Sequence, residues 1–261
     1  MTLFYVRSYG EVVSTNELVK RAIEAGEPEG LVCRARMQTG GYGRQGRHWT
    51  SPAGGLYQSL LLRPAVEPRI VPTLGIVVAL SIRAALERLG GPHAQAIHLK
   101  WPNDVITDEG KLAGISMESH AGGVCVGIGV NVFHAAGEAL PDGKYQPVFF
   151  CDVAHASGSV GGVAVGAKVY DDCAGAIAAV GDEVLNELED RYQTWLNCGI
   201  KPFLPEYRAC NALQGRRVRI ALVSGQTVVE GVVVDIDDDG CLAVDDGHSI
   251  RSVAVGEAHL I

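Results

Sequence analysis

The chain has 261 residues, of which 47% are hydrophobic and 20% charged, and a formal net charge of −8. That length suits one large unit plus a small one, and that composition excludes an intrinsically disordered chain. The acidic balance argues against a nucleic-acid binder that relies on bulk positive charge. No apolar run reaches the ~18 residues of a membrane span, and the start MTLFYVRSYGEVV lacks the basic-then-apolar form of a secretion signal.

In chain order, Ser14-Thr15-Asn16-Glu17 has the S-x-x-E form of a capping box. It predicts a helix through Leu18, Val19, Ala22 and Ile23 that stops at Gly26. Strands predicted over 31–35 and 56–62 flank a polar, glycine-rich run. Residues 73–89 predict a helix apolar on most sides, hence largely buried. Residues 97–101, 112–118 and 124–133 predict strands, with turn-forming residues between the first two; this series favours antiparallel pairing and an α+β fold. Residues 134–167 show no period, and a loop of that length is usually functional or mobile. A long helix follows over 171–197, with a break expected near Gly175 or Gly181 and a stop at Gly199; a short helix over 202–213 comes behind it. After Gly215, runs at 218–223, 228–236, 242–244 and 249–255 between glycine turns predict a small all-β barrel. The expected units are 1–213 and 214–261.

Two suggestive patterns are set aside. Asp235 to Asp246 nearly matches a calcium loop, but that loop joins two helices, whereas strand-like runs flank this one; it reads as a solvated hairpin turn with Gly240 at the tight position. The seven cysteines are odd in number and never closer than twelve positions, so no zinc ligand set is visible. They read as reduced, mostly buried thiols of a cytosolic protein. The eight histidines form no metal-type spacing.

Chemistry concentrates in two segments. In Gln38 to Pro52, glycines 40, 41, 43 and 46 let backbone N–H groups turn toward one point, an array that binds anions. Residues 30–66 add Arg34, Arg36, Arg44, Arg47 and Arg63 and contain no acid, so a local positive field is expected. The run does not match the common nucleotide-loop fingerprints. The second segment is Lys100-Trp101-Pro102-Asn103-Asp104 followed by Lys111-Leu112-Ala113-Gly114-Ile115. Asn103 and Asp104 project from a strand end, where they either cap a turn or meet a ligand, and Lys111 is either a solvated edge residue or a partner for a carboxylate or phosphate.

The order STNE (14–17), QTGGYGRQGRHWTSP (38–52), KWPND (100–104), KLAGI (111–115) and GIGVN (127–131) resembles the biotin protein ligases, also called biotin–acetyl-CoA-carboxylase ligases. The run 191–208 and the terminal β-runs are similar as well. The resemblance implies an α+β, mostly antiparallel catalytic domain like that of class II aminoacyl-tRNA synthetases, with an SH3-like barrel behind it. It implies that biotin and ATP with Mg2+ give biotinyl-5′-AMP and pyrophosphate, and that biotin then passes to a lysine of a biotin carboxyl carrier domain of a biotin-dependent carboxylase. By the same resemblance Ser14, Thr15, Asn16 and Gln38 hold the ureido head, while Tyr42, Gly43, Arg44 and Lys111 complete the biotin site. Gly41, Arg47, Trp49, Asn103 and Asn131 face ATP or the adenylate. Lys111 and Arg44 neutralise charge in catalysis, and Asp104 accepts the proton of the incoming lysine. No protein-only metal site is implied; Mg2+ comes with ATP, and Asp104 is its candidate contact.

Three departures stand out. Tyr42 occupies a place where the family usually has arginine, which is expected to weaken retention of the intermediate. Residues 134–167 replace an adenine-covering loop, with Phe149 and Phe150 as a candidate cover. Only 13 residues precede Ser14, too few for a DNA-binding winged helix, so a cytoplasmic ligase without nucleic-acid or membrane partners is expected, with a homodimer as a further expectation. The alternatives are a lipoate–protein ligase and a non-catalytic binder of biotin or biotinyl-AMP.

Overall fold

The computed structural model describes residues 3–134, 146–154, 158–159, 162–165, 168–170, 172–222 and 224–261, and the side chains of residues 92, 93, 95, 158, 159, 162–165, 168 and 169 are not described. Seven strands form the main sheet: β1 (Tyr5–Val12), β2 (Leu31–Gln38), β3 (Gly55–Leu62), β4 (His98–Lys100), β5 (Asp104–Ile106), β6 (Lys111–His120) and β7 (Gly123–Asn131). Their spatial order is β1-β2-β3-β7-β6-β5-β4. All neighbours pair antiparallel except β1 and β2, which run parallel. The crossover between these two is α1 (Thr15–Glu24), as a parallel pair requires. β1 escapes the sequence reading because it is an exposed edge strand without apolar alternation.

α1 begins where expected, and Ser14 occupies the N-cap position with its carbonyl accepting from Leu18 N–H. The capping box itself does not form. The Ser14 side chain makes no cap bond, Gln38 Oε1 takes the Thr15 N–H at 2.8 Å, and Glu17 turns outward to Tyr42 and Lys20.

The core lies between the sheet and two helices, α2 (Leu74–Gly90) and, further along the chain, a 26-residue helix at Cys173–Cys198. α2 is buried on most of its surface, as its continuous apolarity predicts. Between the two helices lie α3 (Phe150–Val153) and three short strands, β8 (Gly158–Ser159), β9 (Gly162–Val165) and β10 (Lys168–Tyr170). Much of the aperiodic stretch lies outside the described residues. Phe150 is fully buried in the core and Phe149 stacks against His134 at 4.0 Å, so Phe150 is not free to cover a base.

The long helix is α4, and it runs unbroken through both glycines. Asp172 caps it by accepting from Gly175 N–H at 2.7 Å. Gly181 is needed for a close approach, since a Cβ there would lie 2.6 Å from the Arg34 guanidinium. Arg34 in turn bonds Gln58, Asp182 and the Ala178 carbonyl, so this arginine holds α4 to the sheet. α5 (Leu204–Cys210) is shorter than expected.

The C-terminal residues form an antiparallel five-stranded sheet of order β14-β13-β12-β11-β15, with β11 (Arg217–Ala221), β12 (Thr227–Ile236), β13 (Leu242–Asp245), β14 (Ile250–Val253) and β15 (Glu257–Leu260). Register shifts at Ile220/Ala221 and Val233/Asp235 mark bulges that bend it. The calcium-like loop is the β12–β13 turn, as expected, and Asp237 Oδ1 accepts from the N–H groups of Asp239 and Cys241. It is less solvated than its charge suggests. Gly240 packs near Thr73, Ile76 and Ile200, and its carbonyl accepts from Trp101 Nε1 at 3.2 Å. All seven cysteines are free, but only Cys33, Cys125 and Cys210 are buried, with Cys173 and Cys198 exposed; the expectation of mostly buried thiols is corrected accordingly.

Candidate active site

A cavity of about 440 Å3 opens over β3, β6 and β7, within the ~300–1,000 Å3 typical of small-ligand sites. Its floor is glycine-rich because neighbours come too close for side chains. A Cβ on Gly129 would lie 2.7–2.9 Å from the Trp49 indole, and one on Gly127 would collide with Asn16 and Ser116. The GIGVN run is therefore a floor that lets Trp49 and Asn16 lie flat against the sheet.

One end of the cavity is a buried polar set. Gln38 Oε1 accepts from Thr15 N–H and, at 3.1 Å, from Thr15 Oγ1. Gln38 Nε2 donates to Ser51 at 2.9 Å. Ser59 Oγ sits 2.7 Å from both Thr15 Oγ1 and Asn16 Oδ1, and Asn16 Nδ2 donates to Ser116 at 3.2 Å. Each amide nitrogen has a second hydrogen, and each hydroxyl a further lone pair or proton. The set can thus serve a ligand that presents both N–H and C=O groups. Ser59 and Ser116 carry no motif of their own, and sequence reasoning missed them; their signal is only that they are polar residues in otherwise apolar strands.

The other end is cationic. Lys111 Nζ lies 2.7 Å from Asp104 Oδ1 and 5.2 Å from the Trp49 ring centroid. The Lys111 backbone is fixed by Gln146 O, Val148 N–H and Asn131 Nδ2. Arg44 donates to Asn103 Oδ1 at 2.9 Å, and Asn103 Nδ2 donates to the Ile115 carbonyl. Burial pushes the Arg44 pKa down, while Asp104 and Glu257 pull it back up; guanidinium remains charged regardless. Arg47 pairs with Glu257, which lines the cavity with Ala258 from β15. That contribution from the C-terminal sheet was not foreseen, because EAHL spans only four residues.

The structure thus brings Thr15, Asn16, Gln38, Tyr42, Gly43, Arg44, Arg47, Trp49, Asn103, Asp104 and Lys111 to one cavity. Ser14, Gly41 and Asn131 are not among its lining residues. Ser14 caps α1, Gly41 makes room for Ser51 and Gln38, and Asn131 positions Lys111. Two of the four glycine N–H groups expected in an anion array are used within the protein, Gly40 N–H donating to Val13 O and Gly43 N–H to Arg47 O. Of the five arginines, only Arg44 and Arg47 reach the cavity; Arg63 ties down Ile23 and Glu27 carbonyls and Arg36 is exposed.

Tyr42 is fully engaged. Its hydroxyl donates to Glu17 Oε1 at 2.6 Å and accepts from Lys20 Nζ at 2.7 Å. Burial and the Glu17 bond raise its pKa, so it is a neutral phenol. Among the described residues one group of metal-type donors occurs, His134, Cys151 and Asp152. Histidine spacing did not reveal it, and it contributes nothing to the cavity lining.

A mixed sheet with a polar pocket at one end of its cavity, cations at the other and a C-terminal sheet as part of the wall defines a class: an α+β protein that binds a small acid with a hydrogen-bonding head. Residues 9–132 match the Biotin/lipoate A/B protein ligase family, and residues 214–260 match the Biotin protein ligase C terminal domain. The chain is 32% identical over 250 residues to "Biotin--[acetyl-CoA-carboxylase] ligase" of Mycobacterium tuberculosis, covering 94% of this chain and 84% of that one. It is 28% identical to the "Bifunctional ligase/repressor BirA" of Bacillus subtilis, over 97% of this chain and 73% of the other. Among solved structures, the biotin protein ligase from Aquifex aeolicus in complex with biotin and ATP superposes with a TM-score of 0.79 at 26% identity, covering 98% of each chain. The chain belongs to the biotin protein ligase family.

Proposed function

We propose that this protein activates biotin with ATP to biotinyl-5′-AMP and transfers the biotinyl group to a lysine of a biotin carboxyl carrier domain. The observation that carries the choice of acid is the set of buried Thr15, Asn16, Ser59 and Ser116 with half-buried Gln38. A ureido ring offers two N–H groups and one C=O to such a set. The dithiolane of lipoate offers neither and would leave buried polar groups unpaired, which discriminates strongly.

In the first step a carboxylate oxygen of biotin attacks the α-phosphorus, a P–O bond forms, and the bond to pyrophosphate breaks. Lys111 and Arg44 hold the two anions together, lowering their mutual repulsion and countering charge as it develops. In the second step the carrier lysine attacks the acyl carbon, AMP leaves, and Asp104 accepts the amine proton. Among the described residues two carboxylates line the cavity, Asp104 and Glu257, and each already faces a cation. These residues fit a divalent ion carried in by phosphates, with Asp104 as its protein contact, better than a resident metal. Mg2+ so bound would neutralise the departing pyrophosphate.

The same proposal places the catalytic unit at 1–213 and the C-terminal unit at 214–261, makes the carrier domain the macromolecular partner, and leaves a homodimer for sedimentation analysis. The seven free cysteines suit a reducing cytoplasm. No helix among the described residues is long and apolar enough to cross a membrane, and the net charge of −8 favours no nucleic-acid role. The test is ATP–pyrophosphate exchange run with biotin and with lipoate. Exchange with biotin alone is expected, and exchange with neither acid would refute the enzyme.

A further inference from the structure

The glycine loop is held in two different ways. On the cavity side, Arg44 bonds Asn103 and Arg47 pairs with Glu257. Any anionic ligand competes for those cations, so these bonds report on occupancy and cannot by themselves keep the loop in place. Behind the loop, Tyr42 forms the wall between the main cavity and a second depression that Glu17, Lys20 and His48 also line.

There the bonds are of another kind. The Tyr42 hydroxyl donates to Glu17 Oε1 and accepts from Lys20 Nζ, using both of its capacities. The same ammonium reaches Glu118 Oε2 at 2.6 Å and Glu17 Oε1 at 3.4 Å, and it lies 5.2 Å from the Tyr42 ring centroid. Four side chains therefore join three elements, the loop, α1 and β6. The Lys20 side chain is only 18% exposed. Burial works against its charge, yet the bonds from Glu118 and Tyr42 outweigh this and raise its pKa. Each bond is charge-assisted, the stronger class, and none uses a group that faces an anion in the main cavity.

We propose that Glu17, Lys20, Tyr42 and Glu118 form a latch that keeps the loop closed over the cavity independently of ligand, so that Tyr42 and Lys20 are positioning residues that set affinity for the acid substrate. Only the identity of that acid rests on the function proposed above. The effect follows from population arithmetic: apparent affinity is the intrinsic affinity scaled by the fraction of molecules with the loop closed. Unlatching that lowers this fraction to about a tenth raises the apparent constant about tenfold.

The experiment uses the full chain and the variants Lys20→Met, Tyr42→Phe and the conservative Lys20→Arg. Trypsin cleavage after Arg44 and Arg47 is followed by mass spectrometry without ligand and with saturating biotin, beside thermal unfolding and exchange kinetics. Lys20→Met and Tyr42→Phe should be cut at those bonds at least about tenfold faster than wild type, since cleavage follows the open fraction of a loop that is mostly closed, with Tm within about 2 °C, and biotin should restore protection. Lys20→Arg should keep it. KM for biotin should rise about tenfold in Lys20→Met with kcat held, because Lys20 does not line the main cavity. Wild-type cleavage rates in both variants, faster cleavage that merely tracks a fall in Tm, or an unchanged KM would each overturn the latch. Absence of biotin-dependent exchange in the wild type would defeat the function instead, and the ligand-free cleavage rates would still decide the latch.

Discussion

Replacing Asp104 by Asn should push the two half-reactions in opposite directions. In the structure Asp104 is the counter-ion of Lys111 at 2.7 Å, and the two side chains are 18% and 23% exposed. Unit charges ~4 Å apart attract by about 4 kcal/mol at an effective dielectric of ~20, and by about 1 kcal/mol in bulk water. A biotin carboxylate must compete with that attraction for Lys111. Neutralising Asp104 relieves the competition, and if about 1.4 kcal/mol of it is recovered, biotin binds about tenfold more tightly. Transfer should suffer, since removal of a positioned base costs about 10²–10⁴ in rate. Exchange reads the first half-reaction, and single-turnover transfer from preformed biotinyl-AMP to the carrier domain reads the second. Asp104→Asn is expected to lose transfer from preformed biotinyl-AMP, while exchange gains in biotin affinity and falls only through the weaker contact to the ATP-borne divalent ion. Unchanged transfer would remove Asp104 as the base and refute the assignment.

Lys111→Met should lower exchange at least about 10³-fold, comparable to removing a strong electrostatic contact to a transition state, while circular dichroism shows an intact fold; full activity would exclude Lys111. Glu257→Gln, which frees Arg47 from its competing carboxylate on β15, should lower KM for ATP severalfold and leave that for biotin unchanged, since the head-group pocket does not include it. Asp235 has its pKa held below the ordinary 3.8 by the Arg208 bond. A depressed folded value means its contribution is present above 3.8 and is lost as pH falls through the lower folded value, so Arg208→Ala should flatten the acid limb of Tm against pH below about 4.

The helices and central strands were legible because their apolar periodicity is strong and local: α2 and the strands β3, β6 and β7 fall within a residue or two of the pattern. What was illegible depends on partners distant in the chain. β1 exists because it adds to β2, not because YVRSYGEV prefers to be a strand. Gly181 predicted a break in α4, whereas it marks the place where Arg34 passes. The capping box failed for a similar reason, as Glu17 is drawn away from the Ser14 N–H by Tyr42, far along the chain. For the site, residue types and order identified the cavity and, through the resemblance, its arginines Arg44 and Arg47, whereas Arg34, Arg36 and Arg63 from the same acid-free run do not line it. Arg34 and Arg63 are charged in sequence and consumed in structure by carbonyls and acids. The glycine loop was read as an anion nest, yet the Gly43 N–H closes the loop on Arg47 O and the Gly40 N–H is taken by Val13 O.

These differences bear on how a protein of net charge −8 attracts two anionic substrates. A diffuse positive field over residues 30–66 would be screened within about 8–10 Å at physiological salt. The structure instead gives three of the cavity cations an internal partner: Lys111 has Asp104, Arg44 has the Asn103 amide, and Arg47 has Glu257. Such pairing lets part-buried cations exist before substrate arrives, since an isolated charge there would be strongly destabilising. It also means that substrate anions enter by exchange for protein acceptors and not by filling an empty field. The binding energy available is then a difference between two partnerships. That makes affinity sensitive to the released partner, Asp104 or Glu257, as much as to the cation itself, and it explains why an acidic residue four positions from the strand-end lysine turn belongs in the same site as the arginines of the glycine loop.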